Sequence, residues 1–123
     1  MDQTMEDDSK IKILFICSSN RDRSKTAEDI YKDDDHFEVK SAGADADAEL
    51  QVSKELIRWS DVIVVMNERE DRQKFKLLQR FPFLEPTKKI IIDFDIADNY
   101  LRGDPQLIRI IKDKMREFFP EAF

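Results

Sequence analysis

Four short apolar segments of strand length recur along the chain, and longer amphipathic segments lie between them. The first, from Ile11 to Ile16, is mostly apolar and β-branched, which is typical of a strand that is buried on both faces. The segment from Phe37 to Ser41 alternates apolar and polar positions, as a half-buried strand does. Two further apolar segments, from Asp61 to Met66 and from Lys89 to Asp93, predict the third and fourth strands.

A segment with helical spacing follows each predicted strand. Ser53 is a suitable N-cap for the second helix, and the Asp104-Pro105 pair is a strong start for the last one. The predicted helices run from Ser24 to Lys32, from Ser53 to Trp59, from about Glu68 to Arg80, and from Asp104 to Phe119.

The last helix carries the clearest apolar stripe. Its predicted buried positions are Leu107, Ile108, Ile111, Met115, Phe118 and Phe119.

Strands that alternate with helices indicate an α/β fold with a parallel sheet and helices on both of its faces. Ligands of such sheets bind beyond the carboxyl ends of the strands. The loops that follow Cys17 and Asp93 are therefore expected at one edge.

Charge and length narrow the possible functions. The chain has 123 residues, which predicts a single domain from residue 10 to residue 123 after a flexible acidic lead-in at residues 1–9. Lys and Arg total 21 against 27 Asp and Glu, a net charge of −6. This acidic excess argues against binding to nucleic acid phosphates or anionic membranes, so we expect neither as a partner. Any anion must be held by local groups.

Cysteine and histidine usage excludes further classes. The single cysteine, Cys17, excludes an internal disulfide framework and a four-cysteine metal site. One histidine, His36, beside an irregular aspartate run makes a poor metal site, so we expect no metal and no cofactor. No apolar run approaches the roughly 18 residues that cross a bilayer, and the N-terminal segment is acidic. We expect a cytoplasmic protein whose thiol stays free to react.

The segment from Cys17 to Ser24 carries the most informative chemistry. Five residues, Ser18, Ser19, Asn20, Arg21 and Asp22, separate Cys17 from Arg23 between a predicted strand and a predicted helix. A loop of this length can direct successive N–H groups at an anion, reinforced by the helix dipole. Arg23 adds a planar grip on two phosphate oxygens, and the positive surroundings favour a thiolate at Cys17. The pattern predicts a phosphate-binding loop with a nucleophile.

A general acid is also needed to protonate the leaving oxygen, and it should lie on another loop at the same edge. The loop after the fourth strand offers Asp93, Asp95 and Asp98. Asp98 is our first choice because it lies furthest into the loop, with Asp95 and Asp93 as alternatives. Tyr100 follows it and is a candidate wall for a substrate ring.

The segment CSSNRDRS resembles the phosphate-binding loop of the low-molecular-weight protein tyrosine phosphatase superfamily, whose pattern is Cys, two residues, Asn, two residues, Arg and Ser. The resemblance continues through TAED, SAG and DNY, and it is strongest to a small bacterial and archaeal branch of predicted tyrosine phosphatases. It implies a three-layer α/β/α fold of the phosphotyrosine phosphatase I type, with a four-stranded parallel sheet in the order 2-1-3-4.

Residue roles also follow from the resemblance. It implies that Cys17 forms a cysteinyl-phosphate, that Arg23 clamps the phosphate, and that Asp98 serves as acid and then as base. Ser24 is implied to hydrogen-bond the thiolate, and Asn20 to hold the loop in its backbone conformation. CSSN and DIADN also resemble phosphatases of phosphoserine in the RNA polymerase II tail, which favours Asp98 over Asp95 and leaves phosphoserine open as a substrate.

Three positions and one segment depart from the family pattern. Ser19 replaces a usual glycine, where a positive φ would strain the loop, and Asp22 replaces a frequent second cysteine. Asn99 replaces the proline of the acid loop, which leaves the rigidity of that loop open. The segment between Gly43 and Ser53 is shorter than usual and removes part of the substrate rim.

Together these features predict a metal-independent, cysteine-dependent phosphomonoesterase, in first place a protein tyrosine phosphatase. Its expected partners are a phosphorylated protein or a small aryl phosphate, with phosphate or sulfate able to occupy the loop. Two alternatives remain open: an arsenate reductase that uses an external thiol, because the chain has no second cysteine, and a non-catalytic phosphate-binding module.

Overall fold

Strands and helices alternate in the computed structural model, which describes residues 10–84 and 89–123. The predicted lead-in at residues 1–9 lies outside the described residues. The strands are β1 (Ile11–Cys17), β2 (Phe37–Gly43), β3 (Val62–Val65) and β4 (Ile90–Asp93). They form a parallel sheet in the order β2-β1-β3-β4, which confirms the predicted topology. The bounds differ from the predicted ones by one or two residues.

The helices lie on both faces of this sheet, as predicted. They are α1 (Arg23–Tyr31), α2 (Lys54–Trp59), α3 (Glu68–Asp71), α4 (Gln73–Arg80) and α5 (Pro105–Phe118), followed by a 3₁₀ turn at Pro120–Ala122. Ser53 and Asp104 are the N-caps of α2 and α5: their side chains accept from the N–H groups of Leu56 and Gln106. Both predicted helix starts are therefore correct.

The continuous helix predicted over residues 68–80 is wrong. The chain breaks it at Arg72, whose φ of 57° lies in the left-handed region. Side chains at the junction compete with the helix: Asn67 Oδ1 accepts from the N–H of Glu70, and Glu68 Oε1 accepts from the N–H of Lys74. The charge pairs that suggested one helix are compatible with two short ones.

Two apolar layers sandwich the sheet. Along β1, Ile13 and Phe15 face α1 and α5, whereas Leu14 and Ile16 face α2 and α4. This alternation buries both faces of β1, as its apolar composition predicts.

The stripe of α5 is buried only in part. Leu107, Ile111 and Met115 are buried, but Phe118 is 39% exposed, so its predicted burial is wrong. Its ring stacks on that of Phe94, with 5.7 Å between the ring centroids, at the end of the helix. Within the described residues, no helix is long and apolar enough to cross a membrane.

The sheet register aligns the loops that matter for function. Cys17 pairs with Gly43, and Val65 pairs with Asp93. The chain therefore leaves β1, β2 and β4 at the same carboxyl edge, where the segments 18–22, 44–53 and 94–103 meet.

Candidate active site

A small polar cavity of about 50 Å³ lies at this carboxyl edge. Cys17 ends β1 with 3% of its surface exposed, and Arg23 begins α1 with 1% exposed. The cavity is lined by Cys17, Ser19, Arg21, Asp22, Arg23 and Asp98. The structure thus brings the two ends of the predicted phosphate-binding loop and one predicted acid to a single site.

Asn20 gives the loop its sharp curvature. It is fully buried and has a φ of 54°, in the left-handed region that asparagine tolerates better than most residues. Ser19 does not lie in this region, so the expectation of strain at Ser19 is wrong and the special backbone position is one residue later. The side chain of Asn20 also serves the loop, because its Oδ1 accepts from Ser24 Oγ at 2.9 Å.

The segment after β2 braces the loop from outside. The N–H groups of Ala44, Asp45 and Glu49 donate to the carbonyl oxygens of Cys17, Ser18 and Ser19, at 2.9, 3.0 and 3.0 Å. With these carbonyls engaged, the N–H groups of residues 18–22 donate to no protein acceptor in the described part of the chain. Successive N–H groups without a protein acceptor are the donors that an oxyanion-binding loop offers.

Close backbone packing makes Gly43 necessary at this brace. A Cβ on Gly43 would overlap the Cβ of Ala48 and lie 2.8 Å from the carbonyl oxygen of Ser18. The glycine therefore permits the approach of β2 to the loop.

Cys17 has one close polar neighbour on its buried side. Its Sγ lies 2.9 Å from Ser24 Oγ, which in turn donates to Asn20 Oδ1. A serine hydroxyl has one hydrogen and can turn it towards either acceptor. When Cys17 is ionised, Ser24 can direct this hydrogen to the thiolate.

The guanidinium of Arg23 is fixed on two sides. Nη1 donates to the carbonyl oxygen of Ile96 at 2.8 Å, and Nη2 lies 2.9 Å from Asp71 Oδ2. Nε is buried without a hydrogen-bond partner in the described part of the chain, 3.6 Å from Asp98 Oδ1. Buried N–H donors are rarely left unpaired, so this donor suits an incoming oxygen atom.

The three candidate acids lie in different surroundings. Asp98 lines the cavity, and its side chain is 58% exposed. Asp95 forms a two-pronged ion pair with Arg69, at 2.7 and 2.8 Å, and Asp93 Oδ1 accepts from the N–H of Asp95. Of these three, Asp98 alone lines the cavity.

The remaining predicted loop residues have other contacts. Arg21 lies at the mouth, with its Nε 3.6 Å from Glu49 Oε2. Asp22 Oδ1 accepts from the N–H of Arg102 at 2.9 Å, so this oxygen is turned from the loop to the segment before α5. Ser18 Oγ accepts from Gln73 Nε2 at 3.3 Å.

Tyr100 is half-buried against the core layer that contains Phe94 and Ile96, and it is not among the residues that line the cavity. Its assignment as a substrate wall stays a prediction. The cavity itself is bordered almost entirely by polar and charged groups.

Sequence reasoning missed two supporting residues, Asp71 and Gln73. Gln73 is fully buried, and its Oε1 accepts from the N–H groups of Met66 and Asn67 while its Nε2 reaches Ser18. Both residues fall in a charge-rich stretch that resembles a solvated helix face. The one sequence signal for Gln73 is that an uncharged residue interrupts the run of charged positions there.

Metal ligands do not cluster in the described residues: no group of three or more His, Cys, Asp or Glu side chains is placed to hold an ion. The cavity residues would instead bind an anion through N–H groups and Arg23.

Known proteins provide an independent comparison. Neither a protein-family model nor a curated protein sequence matches the chain. Solved structures do match. The YwlE arginine phosphatase from Geobacillus stearothermophilus is 25% identical, with a TM-score of 0.66 over 91% of this chain and 94% of that one.

Two further solved structures are similar in fold. SP-PTP, a low molecular weight protein tyrosine phosphatase from Streptococcus pyogenes, has a TM-score of 0.72 at 14% identity, over 92% of this chain and 93% of its own. A thioredoxin-dependent arsenate reductase from Corynebacterium glutamicum has a TM-score of 0.61 at 19% identity, over 94% of this chain and 63% of its own. The chain has the fold of the low-molecular-weight protein tyrosine phosphatase superfamily, as its sequence predicts.

Proposed function

We propose that the protein is a cysteine-dependent phosphomonoesterase of the protein tyrosine phosphatase type, which acts on phosphotyrosine and related aryl phosphates. One observation carries the proposal: Cys17, Arg23 and Asp98 line the same small cavity, and Arg23 Nε has no hydrogen-bond partner in the described part of the chain. A nucleophile, an oxyanion clamp and a proton donor are the groups that phosphate transfer to sulfur requires.

In the first step, the Cys17 thiolate attacks phosphorus from within the loop. The S–P bond forms as the bond from phosphorus to the leaving oxygen breaks. The protonated carboxyl group of Asp98 gives its proton to that oxygen, so the alcohol leaves neutral. The products are a cysteinyl-phosphate and an ionised Asp98.

Arg23 and the loop amides stabilise the phosphoryl group during transfer. Within residues 10–84 and 89–123, the N–H groups of residues 18–22 and Arg23 Nε have no acceptor, so they can serve the three equatorial oxygens. The two fixed contacts of Arg23 hold its guanidinium in place before substrate arrives, so little reorganisation is needed.

In the second step, the Asp98 carboxylate takes a proton from water as the water oxygen attacks phosphorus. The S–P bond breaks, and the electron pair returns to sulfur. Ser24, 2.9 Å from Cys17 Sγ, can donate its hydrogen to the thiolate that leaves. Inorganic phosphate is released, and Asp98 is again protonated.

Arsenate reduction is the second candidate, because one of the solved structures with this fold is an arsenate reductase. Cys17 is the only thiol of the chain, so it could start such a reaction but not relay a disulfide internally. An external thiol would have to take that role. A reducing cytoplasm, which we propose as the site of action, would keep Cys17 reduced in either case.

The test measures phosphate release from phenyl phosphate and from a phosphotyrosine peptide between pH 5 and pH 8. We expect Cys17→Ser to abolish release while inorganic phosphate still binds. Asp98→Ala should lower kcat/KM for phenyl phosphate about 100-fold, the lower range for loss of a general acid. Asp95→Asn is the matched control: it removes a carboxylate from the same segment, suits the φ of 55° at this position, and should retain most activity.

Two results would refute the proposal. No release from either substrate by the wild-type protein, with phosphate binding intact, would leave an anion-binding module. Thiol-dependent reduction of arsenate without phosphatase activity would establish the second candidate instead.

A further inference from the structure

The segment that carries Asp98 is tethered to the rest of the site at both of its ends. At its start, the N–H groups of Phe94 and Ile96 donate to the carbonyl oxygens of Val65 and Met66, at 2.9 and 2.6 Å. The carbonyl oxygen of Ile96 accepts from Arg23 Nη1. The segment is therefore attached to the end of β3 and to the phosphate clamp itself.

At its other end, Arg102 ties the segment to α1. Its Nε and Nη2 donate to the two carboxylate oxygens of Asp29, at 2.8 and 2.9 Å, in a two-pronged ion pair. Its main-chain N–H donates to Asp22 Oδ1, on the phosphate-binding loop. The next N–H, that of Gly103, donates to Thr26 Oγ1 at 3.0 Å.

Between these ends the segment has few polar contacts of its own. Asp98 contacts Arg23 at 3.6 Å, and in the described structure the main-chain N–H groups of residues 97–101 have no acceptor. Asn99 supplies no ring to restrict the backbone. Tyr100 packs against the core layer two residues after Asp98, so the position of Asp98 depends on this packing and on the two held ends.

We propose that Arg102 and Asp29 form a clamp that positions Asp98 for proton transfer to the leaving group. This inference rests on the proposed phosphatase function and goes beyond it, because neither residue lines the cavity. Both are positioning residues that act through Asp98. A two-pronged arginine–carboxylate pair fixes direction as well as distance, which suits this role better than a single contact.

The test compares two substrates that need the acid to different extents. Phenyl phosphate has a basic leaving group that requires a proton, whereas 2,4-dinitrophenyl phosphate has an acidic one that leaves without it. The value of kcat/KM reports the formation of the cysteinyl-phosphate. We expect Arg102→Ala and Asp29→Asn each to lower it about tenfold for phenyl phosphate, because a small displacement of a reacting group is costly. For 2,4-dinitrophenyl phosphate the change should stay within about twofold.

Two matched comparisons sharpen the test. Arg116 and Asp113 form an exposed ion pair on α5, 3.3 Å apart, so Arg116→Ala and Asp113→Asn remove the same groups elsewhere. We expect neither variant to change the ratio of the kcat/KM values for the two substrates. The double variant Arg102→Ala/Asp29→Asn should lose no more than either single variant, because the two residues act as one unit.

Equal losses of kcat/KM for both substrates would refute the clamp, because they indicate a general structural effect. Unchanged kcat/KM for phenyl phosphate would refute it as well. Its failure is distinct from failure of the proposed function. If the wild-type protein is active and Asp98→Ala loses phenyl phosphate selectively while Arg102→Ala does not, only the clamp is wrong. If the wild-type protein is inactive, the phosphatase function itself fails.

Discussion

At the scale of single residues, the buried guanidinium of Arg23 is the most constrained group in the site. It carries a full charge with 1% of its surface exposed, a state that proteins accept only when the charge is paired. Asp71 supplies the closest carboxylate, with Nη2 and Oδ2 2.9 Å apart. Asp71 therefore fixes the direction of the Arg23 guanidinium as well as neutralising its charge.

Asp71 gives the first prediction. Asp71→Ala removes one of the two fixed contacts of Arg23, so kcat/KM for phenyl phosphate should fall about tenfold, as for the loss of one hydrogen bond to a charged group. Asp71→Asn keeps an acceptor at the same place, so its kcat/KM should fall clearly less. Steady-state kinetics of both variants check this, and an unchanged Asp71→Ala would show that Ile96 alone positions Arg23.

The resemblance implied that Asn20 holds the loop in its backbone conformation, whereas the expectation of strain at Ser19 was wrong. The pattern of Cys17, Arg23 and Ser24 is informative because each side chain has a chemical requirement. The left-handed residue is Asn20, not the serine at the family's glycine position. Asparagine tolerates this conformation, and the buried Asn20 side chain accepts a hydrogen bond from Ser24.

At the scale of elements, the end of β2 and the segment after it form an outer wall of the phosphate loop. Three hydrogen bonds join residues 44–49 to the carbonyl oxygens of residues 17–19. The segment between Gly43 and Ser53, which the resemblance predicts to be shorter than usual, therefore braces the loop.

Gly43 gives the second prediction, at this wall. Gly43→Ala inserts a methyl group against Ala48 and the carbonyl oxygen of Ser18, and overpacking of this kind costs about 1–3 kcal/mol. We expect the free energy of unfolding to fall by that amount in urea titrations, and activity to fall with the displaced loop. Ala48→Gly in the same chain removes the worst overlap and should restore part of both. A stable, fully active Gly43→Ala would contradict the close packing.

Helix α1 gives the third prediction, through Tyr31. Burial, with a smaller contribution from Asp34, raises the pKa of Tyr31 from 10.0 to about 12, which Arg116 partly opposes. The folded state thus favours the neutral phenol, so its stabilisation is complete below pH 10 and is lost as the pH rises towards 12.

The corresponding measurement compares wild type with Tyr31→Phe in urea titrations from pH 7 to pH 12. Wild type should lose about 2 kcal/mol relative to the variant between pH 10 and pH 12, as a shift of this size implies. The lysines titrate equally in both proteins, so they cancel. Parallel curves for the two proteins would contradict the buried phenol.

Most strands and helices could be predicted from the sequence, but one helix break and the exposure of one helix position could not. Apolar strands and capped helix starts follow from local chemistry, and β1 to β4, α1, α2 and α5 were predicted close to their observed bounds. The break at Arg72 was not, because local contacts of Asn67 and Glu68 combine there with a tertiary contact of Gln73 at the end of β3. The predicted burial of Phe118 was wrong for a related reason: helical spacing does not show where the core beneath a helix ends.

At the scale of the whole molecule, a net charge of −6 means that long-range attraction does not bring an anion to the site. In the proposed function, binding comes from groups at contact distance, namely the loop N–H groups and Arg23 Nε. The parallel sheet makes this possible, because its carboxyl edge gathers Cys17, Asp98 and the braces of the loop from distant parts of the chain. The sequence predicted that edge correctly, but not the contacts of Asp71, Gln73 and Arg102 around it.

The central claim is that Cys17 carries the phosphoryl group. Asp98→Ala with 2,4-dinitrophenyl phosphate tests it most directly, because the first step then proceeds without an acid while the second step lacks its base. After a rapid denaturing quench, mass spectrometry of the peptides should find the phosphoryl group on Cys17, and Cys17→Ser should show no adduct and no phosphate release. Phosphate release by Cys17→Ser at the wild-type rate, or turnover with no adduct on Cys17, would contradict the account.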